Sequence, residues 1–322
     1  MTQPTASWGP KLVTREKFEE HTKPRLMLFM SIDMENSTRL KQSYPRHHSH
    51  EWVGTVVHFL EVFPTILQAA RDEIESREKT KLEPLSLWKF QGDDIIFAIN
   101  IIEATIAELE IQALGKAIGD WNESTLKEEH KNRLPIKGTA WLAGFPVANV
   151  IIPVNDREDY IGPSMDAGFR LSKFSTARRL VVSVDLAWWL LKNRSKQKIR
   201  FDGRQEIRGL AEGIGYPILW LETKPSTYQQ VEDDMLGRKS QSNLQEMENL
   251  CEAFIREFGI PRFPPFLFSA PDPADLKYSE LHALAREKLM KTVFFITDEA
   301  DDGQSEKIHP DAAELIQKLK KQ

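Results

Sequence analysis

Residues 25–33, RLMLFMSID, form a short apolar run that begins directly after Pro24 and ends on a carboxylate, Asp33. A run of this length, bounded by proline, reads as a buried strand. A buried strand needs neighbours in a sheet and a covering layer. The rest of the chain offers both in a regular order. Asn36, Ser37 and Thr38 supply cap residues for a short helix ending before Pro45, and residues 50–79 carry apolar side chains at helical spacing, with a kink expected at Pro64. Residues 85–91 and 95–99, joined at Gly92-Asp93-Asp94, read as a hairpin. A helix follows through 101–130, then strands at 136–144 and 147–152, a charged loop at 155–159, a helix from near Gly162 to near Ser175, and a strand at 179–184. Strands at 199–208 and 216–222 complete the unit.

The order β-α-α-β-β-α-β-β-α-β predicts an α+β fold, a mainly antiparallel sheet with helices on one face, as in ferredoxin-like and polymerase-palm folds. We expect an N-terminal arm over 1–23, a catalytic domain over 24–223 and a helical C-terminal extension over 224–322. No internal repeat stands out.

Charge narrows the function classes. A formal net charge of −5 offers no track for nucleic acid and no polybasic membrane anchor. The single cysteine, Cys251, cannot close an intramolecular disulfide, and the N-terminus lacks the basic and apolar regions of a signal peptide. These features predict a cytoplasmic protein. No apolar run approaches the roughly 20 residues of a membrane span, so no direct membrane insertion is expected.

Asp33 ends one strand and Asp93 sits on a neighbouring hairpin, so the two converge if those strands are adjacent. Paired carboxylates suit Mg²⁺ or Mn²⁺, with substrate phosphate oxygens completing the coordination shell. The segments around them carry a resemblance. Ser31-Ile-Asp33-Met34-Glu-Asn36-Ser37-Thr38, Lys89-Phe-Gln-Gly92-Asp93-Asp94 and Asp159-Tyr160-Ile-Gly162-Pro-Ser-Met-Asp166-Ala-Gly-Phe-Arg170-Leu171 resemble, in order and spacing, the three signature blocks of class III adenylate and guanylate cyclases. The likeness spans residues 24–222; Ser31 departs from the usual Phe, and Asp166 from the usual Asn.

The resemblance implies a nucleotidyl cyclase using two divalent ions, Mn²⁺ or Mg²⁺. Asp33 and Asp93 would hold them with the Met34 carbonyl, Asp94 being the competitor of Asp93. It gives Asn36, Ser37 and Thr38 to the phosphates, and Lys89 and Asp159 to the base edge. Arg170 would meet the charge growing on the α-phosphate, a task suited to a guanidinium. Asp166 stands where the ribose is oriented, although it can equally pair with Arg170 at i,i+4. Arg208 stands near the family's phosphate lysine. The family builds its site between two protomers, which implies a homodimer.

A Lys/Asp pair can serve adenine, cytosine or uracil by hydrogen-bond type alone. The stand-alone plan with a helical tail resembles the Pycsar pyrimidine nucleotide cyclases of bacterial anti-phage defence. That likeness points to UTP as substrate, cyclic UMP as product and a separate effector protein as its reader, with Tyr160 narrowing the base pocket. A cytidylate or adenylate cyclase, and a catalytically silent nucleotide-binding relative, are the alternatives. A palm-type polymerase or diguanylate cyclase is disfavoured by the lack of a GG[DE]EF-like hairpin. His47, His48 and His50 read as polar helix-start sequence rather than a metal site, and Trp188-Trp189 as a core or dimer contact.

Overall fold

The computed structural model describes residues 12–42, 51–126, 134–154, 157–195, 197–224, 244–258, 278–292 and 295–297, with residues 227, 231 and 235. The chain runs β1 (Leu12–Thr14), α1 (Arg15–His21), β2 (Arg25–Met34), α2 (Ser37–Gln42), α3 (Glu51–Glu78), β3 (Ser86–Gln91), β4 (Asp94–Asn100) and α4 (Ala104–Leu126). It continues with β5 (Ile136–Phe145), β6 (Val150–Val154), β7 (Arg157–Ile161), α5 (Pro163–Leu171), β8 (Arg179–Val182), α6 (Val184–Lys192), β9 (Ile199–Gln205) and β10 (Tyr216–Glu222). The last described elements are α7 (Leu244–Phe258), α8 (Tyr278–Thr292) and β11 (Phe295–Thr297).

Seven strands form the main sheet in the order β3-β4-β2-β5-β8-β10-β9. Every neighbouring pair is antiparallel except β5 with β8. This is the α+β sheet that the element order predicts. The central strand β2 is apolar throughout because both its faces are covered. Leu26, Leu28, Met30, Ile32 and Met34 point into the larger core, under α3, α4, α6 and α7. Met27 and Phe29 point the other way, into a cluster with Trp141, Phe145, Tyr160 and Met165.

That second cluster corrects the one-faced expectation: α5 and the β6–β7 ribbon cover the opposite face of the sheet. α5 can sit so close because Gly168 has no side chain, a β-carbon there falling 2.1 Å from the Trp141 ring. Phe29 stacks on Trp141 with centroids 5.7 Å apart.

The segment expected to be a charged loop is also corrected. Arg157–Ile161 is a strand, paired with Val150–Val154 from Val150↔Ile161 to Val154↔Arg157. Glu158 and Asp159 stay half-exposed while Tyr160 is buried, so the ribbon tolerates charges that lower strand propensity. The run 184–192 proves to be a helix capped by Ser183, which accepts from the Leu186 N–H at 3.4 Å. Residues 184–191 are all buried, so no polar face marks its period, and Trp188 and Trp189 lie in the core.

Residues 12–21, inside the expected arm, hold a strand and a helix, and the extension contributes β11 besides its helices. β1 pairs in parallel with β11, and Val13, Phe18 and Leu289 pack together. His282 Nε2 lies 2.8 Å from the Thr22 carbonyl. α7 packs on the main domain through Phe254 against Tyr216 and through Lys192 paired with Glu248 at 2.8 Å.

Pro64 lies inside α3. Contrary to expectation, one helix among the described residues, Trp52–Glu78, is long and apolar enough to cross a membrane by length and composition. Its buried residues Phe59, Phe63, Leu67 and Ile74 join the core, and its buried Arg71 is bonded to Glu110 of α4 by Nε at 2.9 Å and Nη2 at 2.8 Å. His47, His48 and His50 lie outside the described residues, as do residues 127–130 of the helix expected over 101–130.

Candidate active site

The strand register assembles the site. β2 lies between β4 and β5, with Ile32 opposite Ile95 on one side and Asp33 opposite Lys137 on the other. Asp94 opens β4, so Asp33 and Asp94 meet where their strands end. A two-residue turn, Gly92-Asp93, joins β3 to β4, with Gly92 at φ 69°, a left-handed conformation that favours glycine.

These ends border a polar cleft of about 480 Å³ lined by Asp33, Met34, Asn36, Ser37, Asp93 and Asp94, with Glu35, Thr38, Gln91, Lys137 and Ser175 around them. All seven residues predicted to hold metal or phosphate on these two segments are thus together. Met34 buries its side chain, so only its backbone can serve the cleft.

The three aspartates differ in surroundings. Burial pushes Asp94 up to about 8, aided by its hydrogen bond to Asp33 and by the negative charges of Asp33 and Asp93, with Lys137 opposing. Asp33 also pairs with Lys137, Oδ2 to Nζ, at 3.2 Å. Burial raises Asp93 too, but the hydrogen bonds from Lys41 and Ser37 outweigh it and hold its carboxyl below the ordinary range. Lys41 Nζ donates to Asp93 Oδ1 at 2.5 Å. The competitor Asp94 therefore stands against Asp33, whereas Asp93 faces a lysine.

The donor set fits a hard divalent cation. Asp33 and Asp94 converge, and Asp93 Oδ2 is buried without a hydrogen-bond partner. Among the described residues no three His, Cys, Asp or Glu side chains surround one point. Two carboxylates are enough for Mg²⁺ or Mn²⁺ when phosphate oxygens complete the shell.

A second cluster lies on β3 and β7. Lys89 Nζ is 3.4 Å from Asp159 Oδ1, and it sits 3.7 Å above the Trp88 ring. Tyr160 is turned into the aromatic cluster, 5.2 Å from Trp88 between centroids, with its hydroxyl donating to Glu158 at 2.9 Å. It supports the platform beneath Lys89 rather than flanking Asp159.

A third cluster joins α5 to the turn after β9. Asp166 and Arg170 are both exposed on α5. Arg170 Nη1 lies 3.0 Å from where a β-carbon on Gly209 would be, so the guanidinium crosses the turn that carries Arg208. Gly209, at φ 74°, donates its N–H to Glu212 at 3.1 Å. Among the described residues, the lining of the acidic cleft does not include Arg170 or Arg208.

Sequence reasoning missed Lys41, Lys137 and Glu35. Lys137 carried a weak signal as a lysine inside an apolar strand; Lys41 carried none. Glu35 accepts from the Ala177 N–H at 2.6 Å and so ties the β2–α2 turn to the segment after α5. Asn122 holds the same region by donating to the carbonyls of Ile136 at 2.8 Å and Ala177 at 3.0 Å.

No family model and no curated protein matches this sequence. Solved structures with similar folds include the adenylyl cyclase CyaB from P. aeruginosa, at 12% identity and a TM-score of 0.45, over 64% of this chain and 97% of that one. The guanylyl cyclase Cya2 is similar at 13% identity and a TM-score of 0.39, over 62% of this chain and 92% of that one. A bacterial light-regulated adenylyl cyclase is similar at 11% identity and a TM-score of 0.47, over 68% of this chain and 58% of that one.

Proposed function

We propose that this chain is a nucleotidyl cyclase converting a nucleoside triphosphate, UTP above the others, into its 3′,5′-cyclic monophosphate and pyrophosphate. The observation that supports it most is the convergence of Asp33 and Asp94, with Asp93 beside them, in one cleft bordered by Asn36, Ser37 and Thr38. Asp33 and Asp94 are the carboxylates best placed to hold a divalent ion, with Asp93 entering once its lysine moves. Bound there, Mg²⁺ or Mn²⁺ would lower the pKa of a ribose 3′-hydroxyl and neutralise phosphate oxygens.

The 3′-oxygen would then form a bond to the α-phosphorus as the bond to the departing pyrophosphate breaks, the hydroxyl proton passing to solvent. Arg170, supplied across a homodimer interface, would meet the charge on the α-phosphate with Arg208 close behind it. Asp166, exposed on the same helix, would accept from a ribose hydroxyl. Lys89 and Asp159 would read the base, for uracil by donating to a carbonyl oxygen and accepting from the ring N–H. UTP and a messenger role in anti-phage defence, with a separate effector reading the product, rest on the likeness of overall plan to the Pycsar cyclases.

The test is to incubate the purified protein with an equimolar mixture of the four triphosphates and Mn²⁺ and identify products by mass spectrometry. Cyclic UMP is expected; a different cyclic product moves the base assignment, and four intact triphosphates reject the activity. One observation favours a silent nucleotide-binding relative, namely Asp166 in place of the family's Asn. Under that reading Asp33→Ala changes nucleotide affinity while neither protein makes product.

A further inference from the structure

We infer that Lys41 is a triphosphate-binding residue that exchanges Asp93 for the phosphate chain when nucleotide enters; this rests on the nucleotide reading above. Lys41 and Lys137 each neutralise one carboxylate of the cleft, at 2.5 Å on Asp93 and 3.2 Å on Asp33. Their settings differ in a way that separates their roles. Lys137 projects from a central strand and is opposite Asp33 by strand register, so its pairing is fixed by the sheet. Lys41 stands on the six-residue helix α2 at the lip of the cleft, and its side chain is 31% exposed. A long, flexible ammonium stem in that position can turn without disturbing the sheet.

Charge gives the direction of the exchange. A carboxylate already neutralised by an ammonium at 2.5 Å is a poor ligand for a free divalent cation. A metal–triphosphate complex brings its own anionic oxygens, to which the ammonium can pass as the carboxylate turns to the ion. Ser37 and Thr38 line the same cleft, four and three residues before Lys41 on one helix. Side chains so spaced share a helix face. The chain thereby gains, beside its acidic cleft, a phosphate-binding lysine whose ammonium already reaches one of the lining carboxylates.

The test uses inorganic tripolyphosphate with Mn²⁺, which binds as the phosphate tail does but cannot be cyclised. Calorimetry on the full chain is expected to show that Lys41→Ala weakens tripolyphosphate binding tenfold or more, the loss of one charge-assisted contact. Lys41→Arg should stay near wild type. Free Mn²⁺ titrated without phosphate and followed by electron paramagnetic resonance should bind Lys41→Ala more tightly, because Asp93 is released. Lys41→Gln, which keeps most of the stem, guards against a folding defect and should behave as Lys41→Ala does. Unchanged tripolyphosphate affinity in folded Lys41→Ala and Lys41→Gln overturns the inference. Lys41-dependent binding in a protein that cyclises no triphosphate would reject the catalytic reading and leave the role of Lys41 standing.

Discussion

Asp33 and Asp94 share a hydrogen bond where two neighbouring strands end, and two carboxyl groups can share one only if a proton lies between them. Burial, with the carboxylates nearby, pushes Asp94 up to about 8 from an ordinary value of 3.8. The metal-free folded protein therefore retains a proton over that interval that the unfolded chain has released. Its stability contribution is present at low pH and is lost as pH rises through the folded value. Calorimetry in chelator should find the thermal midpoint falling as pH rises from about 5 to about 8 and levelling above, with a shallower slope in Asp94→Asn. Identical slopes in the two proteins would rule out the shared proton.

Arg71 and Glu110 form a pair of which the side chains are 3% and 0% exposed, joining α3 to α4. Removing one member strands the other charge in the core, so Arg71→Ala should cost about 3–5 kcal/mol in urea denaturation. Replacing both with apolar residues of similar volume, Arg71→Met with Glu110→Leu, should recover most of that loss.

Gly168→Ala is expected to disturb the helix that carries Asp166 and Arg170. Its β-carbon falls 2.1 Å from the Trp141 ring, so α5 must shift away from the sheet. Overpacking of this kind costs about 1–3 kcal/mol. Urea denaturation should register that loss, and product formation should fall further than the stability change explains. Full activity in a normally stable variant would show that the position of α5 is not used.

Lys89 and Asp159 sit 3.4 Å apart and are both substantially exposed, so their ion pair contributes little to stability. Lys89→Ala should fold normally yet lower kcat/KM for the preferred triphosphate about 10- to 100-fold, because a base edge loses a charged partner. Competition among the four triphosphates, read by mass spectrometry, should show flattened base preference. A proportional loss for all four bases would move these residues out of base recognition.

The element order and the acidic cleft were legible because short apolar runs, bounded by Pro24 and Gly92, leave few alternatives to strands, and because Asp33 and Asp93 end or join such runs. The choice between Asp93 and Asp94 was not legible. It depends on register, which places Asp94 rather than Asp93 against Asp33, and on Lys41, 52 residues from its partner in the chain. The β6–β7 ribbon was hidden for a related reason. Glu158 and Asp159 look like loop residues until the backbone partner at Val150–Val154 is known. The α6 helix escaped because a segment buried on every side has no polar stripe to show its period.

Parallel pairing of Leu12–Thr14 with Phe295–Thr297 fastens the earliest described strand to the latest, so the elements between them form a ring closed by hydrogen bonds. Trimming either segment would leave the other with an open backbone edge, and loss of Leu12–Thr14 would also take Val13 from its packing with Phe18 and Leu289, a ready seed for aggregation. Expression boundaries drawn tightly around the seven-stranded sheet would cut that clasp, and a poorly behaved product from such a fragment would reflect the cut.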